Sequence, residues 1–119
     1  MVTRKEDLKP ETIRHMKGGS GSVAVTRLFQ PGSYDSAIRM IARLRLPPQA
    51  GLGYHRHEGE EEMISVVSGV AEYDDDGLTT ILHAGDVCLC KNGHGHSIRN
   101  AGQVDDLMLL AVITGVEPL

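Results

Sequence analysis

Aromatic residues are scarce in this chain of 119 residues, which contains no Trp, one Phe and three Tyr. Proteins that bind single-stranded nucleic acid stack bases on aromatic side chains, so this composition argues against that function. The net charge of −4 also disfavours a polyanionic partner, because phosphates repel an acidic protein. We therefore expect no nucleic acid among the partners.

Long apolar runs are absent as well, and the first residues, Met1 to Asp7, are rich in charge. No stretch approaches the roughly 20 apolar residues of a membrane span, and none resembles a secretory signal. The chain has two cysteines, Cys88 and Cys90, which would point the same way on a strand and so are poorly placed to bond each other. These features predict a cytoplasmic protein with reduced thiols and no membrane partner.

What the chain does contain fits one globular domain, with 40% hydrophobic and 24% charged residues. The charge is uneven along the chain. Up to His57 there are ten Lys or Arg and four Asp or Glu, whereas from Glu58 onward there are two and twelve. A basic half and an acidic half suggest complementary surfaces, either within one subunit or between two subunits.

Turn residues, including 14 Gly and 5 Pro, separate short apolar runs about every ten residues, which is typical of an all-β sandwich or barrel. The predicted strands are Ser22–Phe29, Ala37–Leu46, Gly53–His57, Glu62–Ser68, Val70–Tyr73, Thr79–His83, Asp86–Lys91, His96–Asn100 and Leu107–Ile113. A short helix is predicted only over Lys9–Met16, after Pro10.

The strand Ala37–Leu46 shows the clearest alternation. One set of alternate residues is wholly apolar: Ile38, Met40, Ala42, Leu44 and Leu46. The other set is mainly basic: Arg39, Ile41, Arg43 and Arg45. This period of two predicts a strand with one face in the core and a basic face outside.

Four of the six histidines form two His-x-His pairs, His55 with His57 and His94 with His96. Residues i and i+2 of a strand share a face, so His55 and His57 can hold one metal ion. A carboxylate-rich segment, residues 58–62, follows directly. One such pair could lie on a surface by chance, but a pair, a nearby Glu and a distant His between glycines together indicate a metal site.

Imidazole and carboxylate ligands suit Fe, Mn, Co, Ni, Cu or Zn. Three imidazoles and one carboxylate would leave two positions of an octahedral ion for water, O2 or substrate, which is what Lewis-acid or redox chemistry requires. A closed structural zinc site is disfavoured, because such sites are usually rich in Cys. We expect a divalent transition metal, Fe, Mn, Ni, Co or Zn, as the cofactor.

The spacing of these residues resembles the two motifs of the cupin family, over about residues 37–113. The first motif reads His55-Arg56-His57, four residues, Glu62, six residues, Gly69. The second reads Gly85, five residues, Lys91-Asn92-Gly93, two residues, His96, three residues, Asn100. The chain departs from the family at Gln49, where a Gly is frequent, and at Lys91, where the family has a turn Pro. Neither departure removes a metal ligand.

The resemblance implies an all-β, cupin-type jelly-roll β-barrel, a homodimer, and His55, His57, Glu62 and His96 as metal ligands. Counting three residues forward from His57 would choose Glu61 instead, whereas counting back from Gly69 chooses Glu62. The strand after the Glu is fixed in register by pairing, while the preceding loop can absorb an extra residue, so Glu62 is the prediction.

We expect a single domain overall. Residues 1–36 are predicted to form an N-terminal arm and a first strand, and residues 37–119 the barrel. The basic face of Ala37–Leu46 and the acidic second half of the chain would suit a homodimer interface.

The resemblance implies either of two function classes. One is a metal-dependent enzyme, of the dioxygenase, isomerase, decarboxylase or lyase type, acting on a small polar or carboxylate substrate coordinated to the metal. The other is a non-catalytic cupin that binds or senses a small molecule. An enzyme needs a proton-handling group near the open metal positions, and His94 and Glu60 are the two candidates. His94 could alternatively be a fourth imidazole ligand or a loop residue.

The ligand pocket should have apolar walls with few aromatic residues, which favours a short aliphatic substrate over a flat aromatic one. The expected wall residues are Met40, Leu44, Ile64, Val66 and Met108. Tyr54 has the opposite parity from His55 and should face away from the metal. No catalytic residue and no organic cofactor is assigned from the sequence.

Overall fold

The computed structural model describes residues 1–117, and in it two antiparallel sheets pack face to face as a jelly roll. The strands are β1 Glu11–Arg14, β2 Ser22–Arg27, β3 Ile38–Leu46, β4 Gly51–Arg56, β5 Glu60–Ser68, β6 Val70–Asp75, β7 Leu78–His83, β8 Val87–Cys90, β9 Gly95–Asn100 and β10 Leu107–Gly115. Short 3₁₀ turns lie at Lys5–Asp7 and Met16–Gly18. The predicted all-β jelly-roll class is confirmed.

The larger sheet has the strand order β1-β2-β3-β10-β5-β8, and the smaller one the order β4-β9-β6-β7. Each of the nine predicted strands is present, with ends shifted by no more than two residues. Within the described residues, no helix combines the length and apolar character that crossing a bilayer requires.

The helix predicted over Lys9–Met16 is wrong. Residues Glu11–Arg14 form β1, which pairs antiparallel with β2 so that Ile13 lies opposite Val23. The segment is too short for a helix that buries a face, whereas pairing with β2 satisfies its backbone and packs Ile13 against the core. Residues 1–36 therefore contribute two strands to the larger sheet.

Alternation along β3 builds the core as predicted. Ala42, Leu44 and Leu46 are fully buried, while Arg43 and Arg45 are exposed on the outer face. Strand β10 lies between β3 and β5 in the centre of the larger sheet. Its buried side chains are Leu107, Leu109 and Ala111. Burying each such leucine stabilises the fold by about 2 kcal/mol, so these two strands anchor the barrel.

A segment between β1 and β2, residues 15–21, closes over the outer edge of β4, and we call it the N-terminal strap. The Gly51 amide donates a hydrogen bond to the Ser20 carbonyl oxygen at 3.0 Å. A Cβ on Gly53 would lie 2.2 Å from the Lys17 carbonyl oxygen, so only glycine allows this approach. The strap therefore holds Lys17 next to the strand that carries His55.

Candidate metal centre

Both sheets contribute side chains to one cluster in the barrel interior. His55 on β4 lies opposite His96 on β9, and Glu62 comes from β5 of the facing sheet. His57 follows the end of β4, where its backbone is fixed by two hydrogen bonds: its amide to the His94 carbonyl oxygen, and its own carbonyl oxygen from the Gly93 amide. The cluster is therefore supported by pairing on three strands, with a register shift on β4 between Leu52 and His55, and by a turn whose backbone is hydrogen-bonded to the segment before β9.

The donor atoms of these four residues converge. The Nε2 atom of His96 lies 3.1 Å from Nε2 of His57 and 3.2 Å from Nε2 of His55. Oε1 of Glu62 lies 3.1 Å from the His57 Nε2 and 3.0 Å from the His96 Nε2. One ligand atom from each of the four residues lies within 4.8 Å of all the others.

The opposite ring nitrogen of each histidine has a partner of its own. Nδ1 of His55 donates to the Gly53 carbonyl oxygen at 2.8 Å, and Nδ1 of His57 donates to Oε2 of Glu60 at 2.6 Å. Nδ1 of His96 lies 2.9 Å from the buried Tyr73 hydroxyl. Because a carbonyl and a carboxylate only accept, the protons of His55 and His57 are held on Nδ1 and their Nε2 lone pairs point into the cluster.

The Nε2 lone pairs of His55 and His57 and the Glu62 carboxylate all lie 3.0 to 3.2 Å from a neighbouring ligand atom, an arrangement that positive charge between them would stabilise. Adjacent ligands of an octahedral ion with bonds of about 2.1 Å are about 3.0 Å apart, and those of a tetrahedral ion about 3.4 Å. These four separations are nearer to the octahedral value, so the residues suit a divalent transition metal. Histidines that donate Nδ1–H to a fixed acceptor are also the usual form of metal-ligating imidazoles.

The ionisation of the cluster favours a bound cation. Burial alone would raise the pKa of Glu62, but the close approach of the His57 and His96 rings outweighs it and lowers the pKa to about 2. The neighbouring Glu62 carboxylate raises the pKa of His57, because it stabilises a positive charge on that ring, while burial lowers the pKa of His55. Glu62 is thus a permanent anion, and one neighbouring imidazole binds positive charge more readily than usual.

A cavity of about 260 Å³ opens beside this cluster. Its lining residues are Met16, Lys17, Arg27, Met40, Leu44, Leu52, His55, Arg56, His57, Glu60, Glu62 and Ile113. Met40 and Leu44 line it as expected, and few of its walls are aromatic. Ile64 and Val66, also expected as walls, are buried in the core and do not line the cavity.

The prediction that Met108 forms a wall is wrong. Met108 pairs with Arg45 across β10 and β3 and lies on the outer face of the larger sheet. Its neighbours Leu107 and Leu109 point inward instead, and Ile113, of the same parity, reaches the cavity. A continuous apolar strand does not reveal from composition which set of alternate residues faces the core, and β10 is such a strand.

Several residues considered from the sequence lie outside the cluster. His94 is exposed, and its Nδ1 lies 3.0 Å from Oδ2 of Asp76. Tyr54 is exposed on the opposite face from His55, with its hydroxyl 3.2 Å from Asp76. Glu61 precedes Glu62 on β5 and has the opposite parity. The cluster thus contains Glu62 and neither Glu61 nor His94.

Glu60 lies behind His57 rather than at the cluster's centre. Its other carboxylate oxygen accepts a hydrogen bond from Arg39 at 2.9 Å, so the carboxylate bridges Arg39 and His57. Burial would raise the pKa of Glu60, but the hydrogen bonds from His57 and Arg39 lower it. Glu60 is therefore ionised near neutral pH and serves to orient His57.

Sequence reasoning missed two residues near the cluster, Tyr73 and Arg27. Tyr73 pairs opposite Ile98 on the strand that carries His96, and Arg27 has the parity of the buried Val23 and Val25. Arg27 could have been found from the sequence, because it is a charged residue in the same alternating set as the apolar Val23 and Val25. The role of Tyr73 depends on pairing between distant strands, which no local pattern contains.

The two cysteines, Cys88 and Cys90, are free thiols. Burial raises the pKa of each thiol to about 11, so both are protonated and unreactive near neutral pH. Cys88 also lies next to the Tyr73 hydroxyl. Neither belongs to the four-residue cluster.

Comparison with known proteins identifies a matching family and two similar proteins from one organism. The family model described as "Cupin domain" matches residues 42–113. An oxalate-binding protein of Thermotoga maritima is 40% identical over 113 residues, covering 95% of this chain and 93% of that protein. A crystal structure of a "predicted oxalate decarboxylase" from Thermotoga maritima superposes with a TM-score of 0.92 at 39% identity, covering 98% of this chain and 100% of that one.

More distant structures share the fold alone. The polyketide cyclase RemF of Streptomyces resistomycificus has a TM-score of 0.76 at 17% identity, covering 98% of this chain and 80% of its own. KdgF of Halomonas sp. has a TM-score of 0.75 at 14% identity, covering 98% of this chain and 94% of its own.

Proposed function

This chain belongs to the cupin domain family, and on that premise we propose that it binds a small carboxylate, oxalate foremost, through a divalent transition metal held by His55, His57, Glu62 and His96. The observation that carries the proposal is the convergence of these four side chains beside a cavity of about 260 Å³. A bound metal supplies Lewis acidity, which attracts the carboxylate oxygens of the ligand.

Cavity charge supports an anionic ligand. Lys17, Arg27 and Arg56 line the cavity together with the carboxylates of Glu60 and Glu62, so a divalent cation would make the pocket clearly positive. A similar protein, 40% identical, is named for binding oxalate, which is a small dianion. The size of the cavity also suits a short ligand of this kind.

Binding without turnover is the better supported of the two function classes. His94 is directed to Asp76 and does not line the cavity, so it is not placed to transfer a proton there. Glu60 does line the cavity, but its pKa is lowered by His57 and Arg39. Decarboxylation of oxalate needs a proton for the product carbon, and an ionised Glu60 has none to give.

A metal-dependent enzyme acting on the same carboxylate is the second candidate. Glu60 favours it, because a carboxylate that stays ionised at the cavity wall can accept a proton as a general base. Sustained release of formate or CO2 from oxalate by the metal-loaded protein would support this candidate. The binding proposal expects oxalate to be recovered unchanged.

The proposal predicts that oxalate binding requires the metal. Protein stripped with a chelator and reloaded separately with Mn, Fe, Co, Ni or Zn should bind oxalate in at least one loaded form, as measured by isothermal titration calorimetry. Metal-free protein should bind at least about tenfold more weakly, because the charged partner of the carboxylate is gone. Acetate, with a single carboxylate, should bind more weakly than oxalate. Equal affinity with and without metal would contradict the proposal.

We also propose that the protein is a homodimer that uses the outer face of the larger sheet. Arg43 and Arg45 are exposed on β3 beside the half-buried Met108, where a basic surface surrounds apolar side chains. Replacing both arginines with Glu should convert the dimer into a monomer in sedimentation-velocity analysis, because like charges would then meet the acidic half of the partner. An unchanged dimer in the double variant would rule out this face.

We also propose a cytoplasmic location, which the state of the two thiols supports. The chain carries two free thiols, Cys88 and Cys90, and no disulfide between them. Cytoplasmic conditions keep such thiols reduced.

A further inference from the structure

Arg27 is a cation on the inner side of the barrel that the metal cluster does not use. It ends β2, where Val23 and Val25 are buried with the same parity. Its neighbour across the strands is Ala42, which is fully buried. The alternation therefore places the Arg27 side chain on the interior face, and it lines the same cavity as His55 and His57.

Arg27 has no carboxylate partner within the part of the chain that the structure describes. Three other arginines do have one: Arg39 pairs with Glu60, Arg45 with Asp106 and Arg99 with Glu72. Arg27 is half-buried as a residue, but none of its side-chain nitrogens is both buried and without a partner, so its guanidinium is accessible from the cavity. Its donors are therefore free to bind an anionic group that enters the cavity.

The carboxylates of the cavity do not serve as that partner. Glu62 is hydrogen-bonded to His57 and His96, and Glu60 to His57 and Arg39. Both acidic side chains that line the cavity therefore already contact cluster histidines, and Glu60 also contacts Arg39.

Arg27 also differs from the other two cations at this cavity. Lys17 is exposed on the N-terminal strap, and the Arg56 guanidinium is exposed and donates to the Gly93 carbonyl oxygen at 3.0 Å. An exposed cation surrounded by water contributes little to binding, whereas a half-buried one contributes more. Of the three, Arg27 is the cation best placed to bind a ligand inside the cavity.

We infer that Arg27 binds a carboxylate group of the metal-bound ligand and so selects for short dicarboxylates. The inference rests on the proposed metal-dependent binding of a small carboxylate. Oxalate has four carboxylate oxygens, so the metal and Arg27 can bind different oxygens of one molecule. The planar guanidinium donates two parallel hydrogen bonds to a carboxylate, a geometry that Lys cannot reproduce.

The test compares Arg27→Gln with wild type and with Arg4→Gln as a control. Arg4 is exposed in the N-terminal segment and does not line the cavity, so its replacement removes the same charge from outside the cavity. With Mn-loaded proteins, calorimetry should show oxalate binding at least about tenfold weaker in Arg27→Gln. Arg4→Gln should match wild type, and Arg27→Lys should fall between wild type and Arg27→Gln because it keeps the charge but not the paired donors.

Acetate supplies a second readout. Acetate has a single carboxylate, which should bind the metal and leave none for Arg27. Its affinity should therefore fall by less than about threefold in Arg27→Gln, because the charged hydrogen bonds to Arg27 are made by the second carboxylate of oxalate. Metal affinity, measured by competition with a colorimetric chelator, should be unchanged in both arginine variants. A large loss of metal affinity in Arg27→Gln would assign Arg27 a structural role and overturn the inference.

The outcomes separate this inference from the proposed function. If the metal-loaded wild type binds no oxalate, the proposed function fails. If the wild type binds oxalate and Arg27→Gln binds it equally well, the function stands and Arg27 is not the carboxylate-binding residue. Should Arg27→Gln fold poorly, Arg27→Lys decides, because unchanged oxalate affinity in that variant would exclude a role for the paired guanidinium donors.

Discussion

Replacing Glu62 with Gln lowers the affinity for a divalent transition metal by more than about 100-fold, whereas replacing Glu61 with Gln leaves it unchanged. Groups that only orient metal ligands already contribute about 10- to 100-fold, and a charged ligand should contribute more. Glu62 is buried with Oε1 within 3.1 Å of two histidine nitrogens, whereas Glu61 has the opposite parity on β5. Competition with a colorimetric chelator measures the difference.

Glu61→Gln is the matched control for this experiment, because it makes the same chemical change at the next residue of the same strand. Circular dichroism of both variants would show that the sheet is intact. The reverse result, with Glu61 required and Glu62 dispensable, would mean that β5 is shifted by one residue relative to β10. In the structure Ile113 on β10 lies opposite Glu62, which fixes that register.

Replacing Glu60 with Ala lowers metal affinity by about 10- to 100-fold although Glu60 lies outside the four-residue cluster. Its carboxylate accepts the Nδ1 proton of His57 and is itself held by Arg39, so removing it frees the His57 ring to rotate and lowers its basicity. Glu60→Gln should lose less than the Ala variant, because the amide oxygen can still accept that hydrogen bond. The same chelator competition measures these losses.

Glu58→Ala serves as the control for the Glu60 variants, since Glu58 is an exposed carboxylate in the same turn. It should leave metal affinity within about twofold of wild type, because exposed charges contribute little. Equal losses in Glu58→Ala and Glu60→Ala would indicate a general effect of negative charge. In that case Glu60 would have no specific role in orienting His57.

Most of the barrel could be predicted from local patterns, and the exceptions have physical reasons. The alternation of β3 predicts its buried and exposed faces, because one face is apolar and the other basic. The segment Glu11–Arg14 shows no such alternation, and it becomes a strand only because β2 offers an edge to pair with. The wrong inward placement of Met108 has a related cause, since β10 is apolar on both faces.

The candidate site also has one part that the sequence predicts and one part that it does not. The spacing of His55 and His57 on one strand, and of Glu62 relative to Gly69, is local information that a sequence contains. The extra residue between His57 and Glu62 lies in a turn where Gly59 has a φ of +76°, a conformation that glycine adopts readily. Of the hydrogen bonds behind the histidine rings, those of His55 with Gly53 and of His57 with Glu60 are local. The contact of His96 with Tyr73 joins two distant strands, so no local pattern contains it.

The N-terminal strap also has a consequence for association between molecules. An outermost strand with unpaired N–H and C=O groups is a template on which another chain can add a strand and begin to aggregate. By covering β4 and bonding Gly51 to Ser20, the strap shields one side of the smaller sheet. The other side ends at β7, where Leu78 and Ile81 are exposed in the described part of the chain. Strand addition to this sheet would therefore occur at β7, and charged residues introduced there would suppress it.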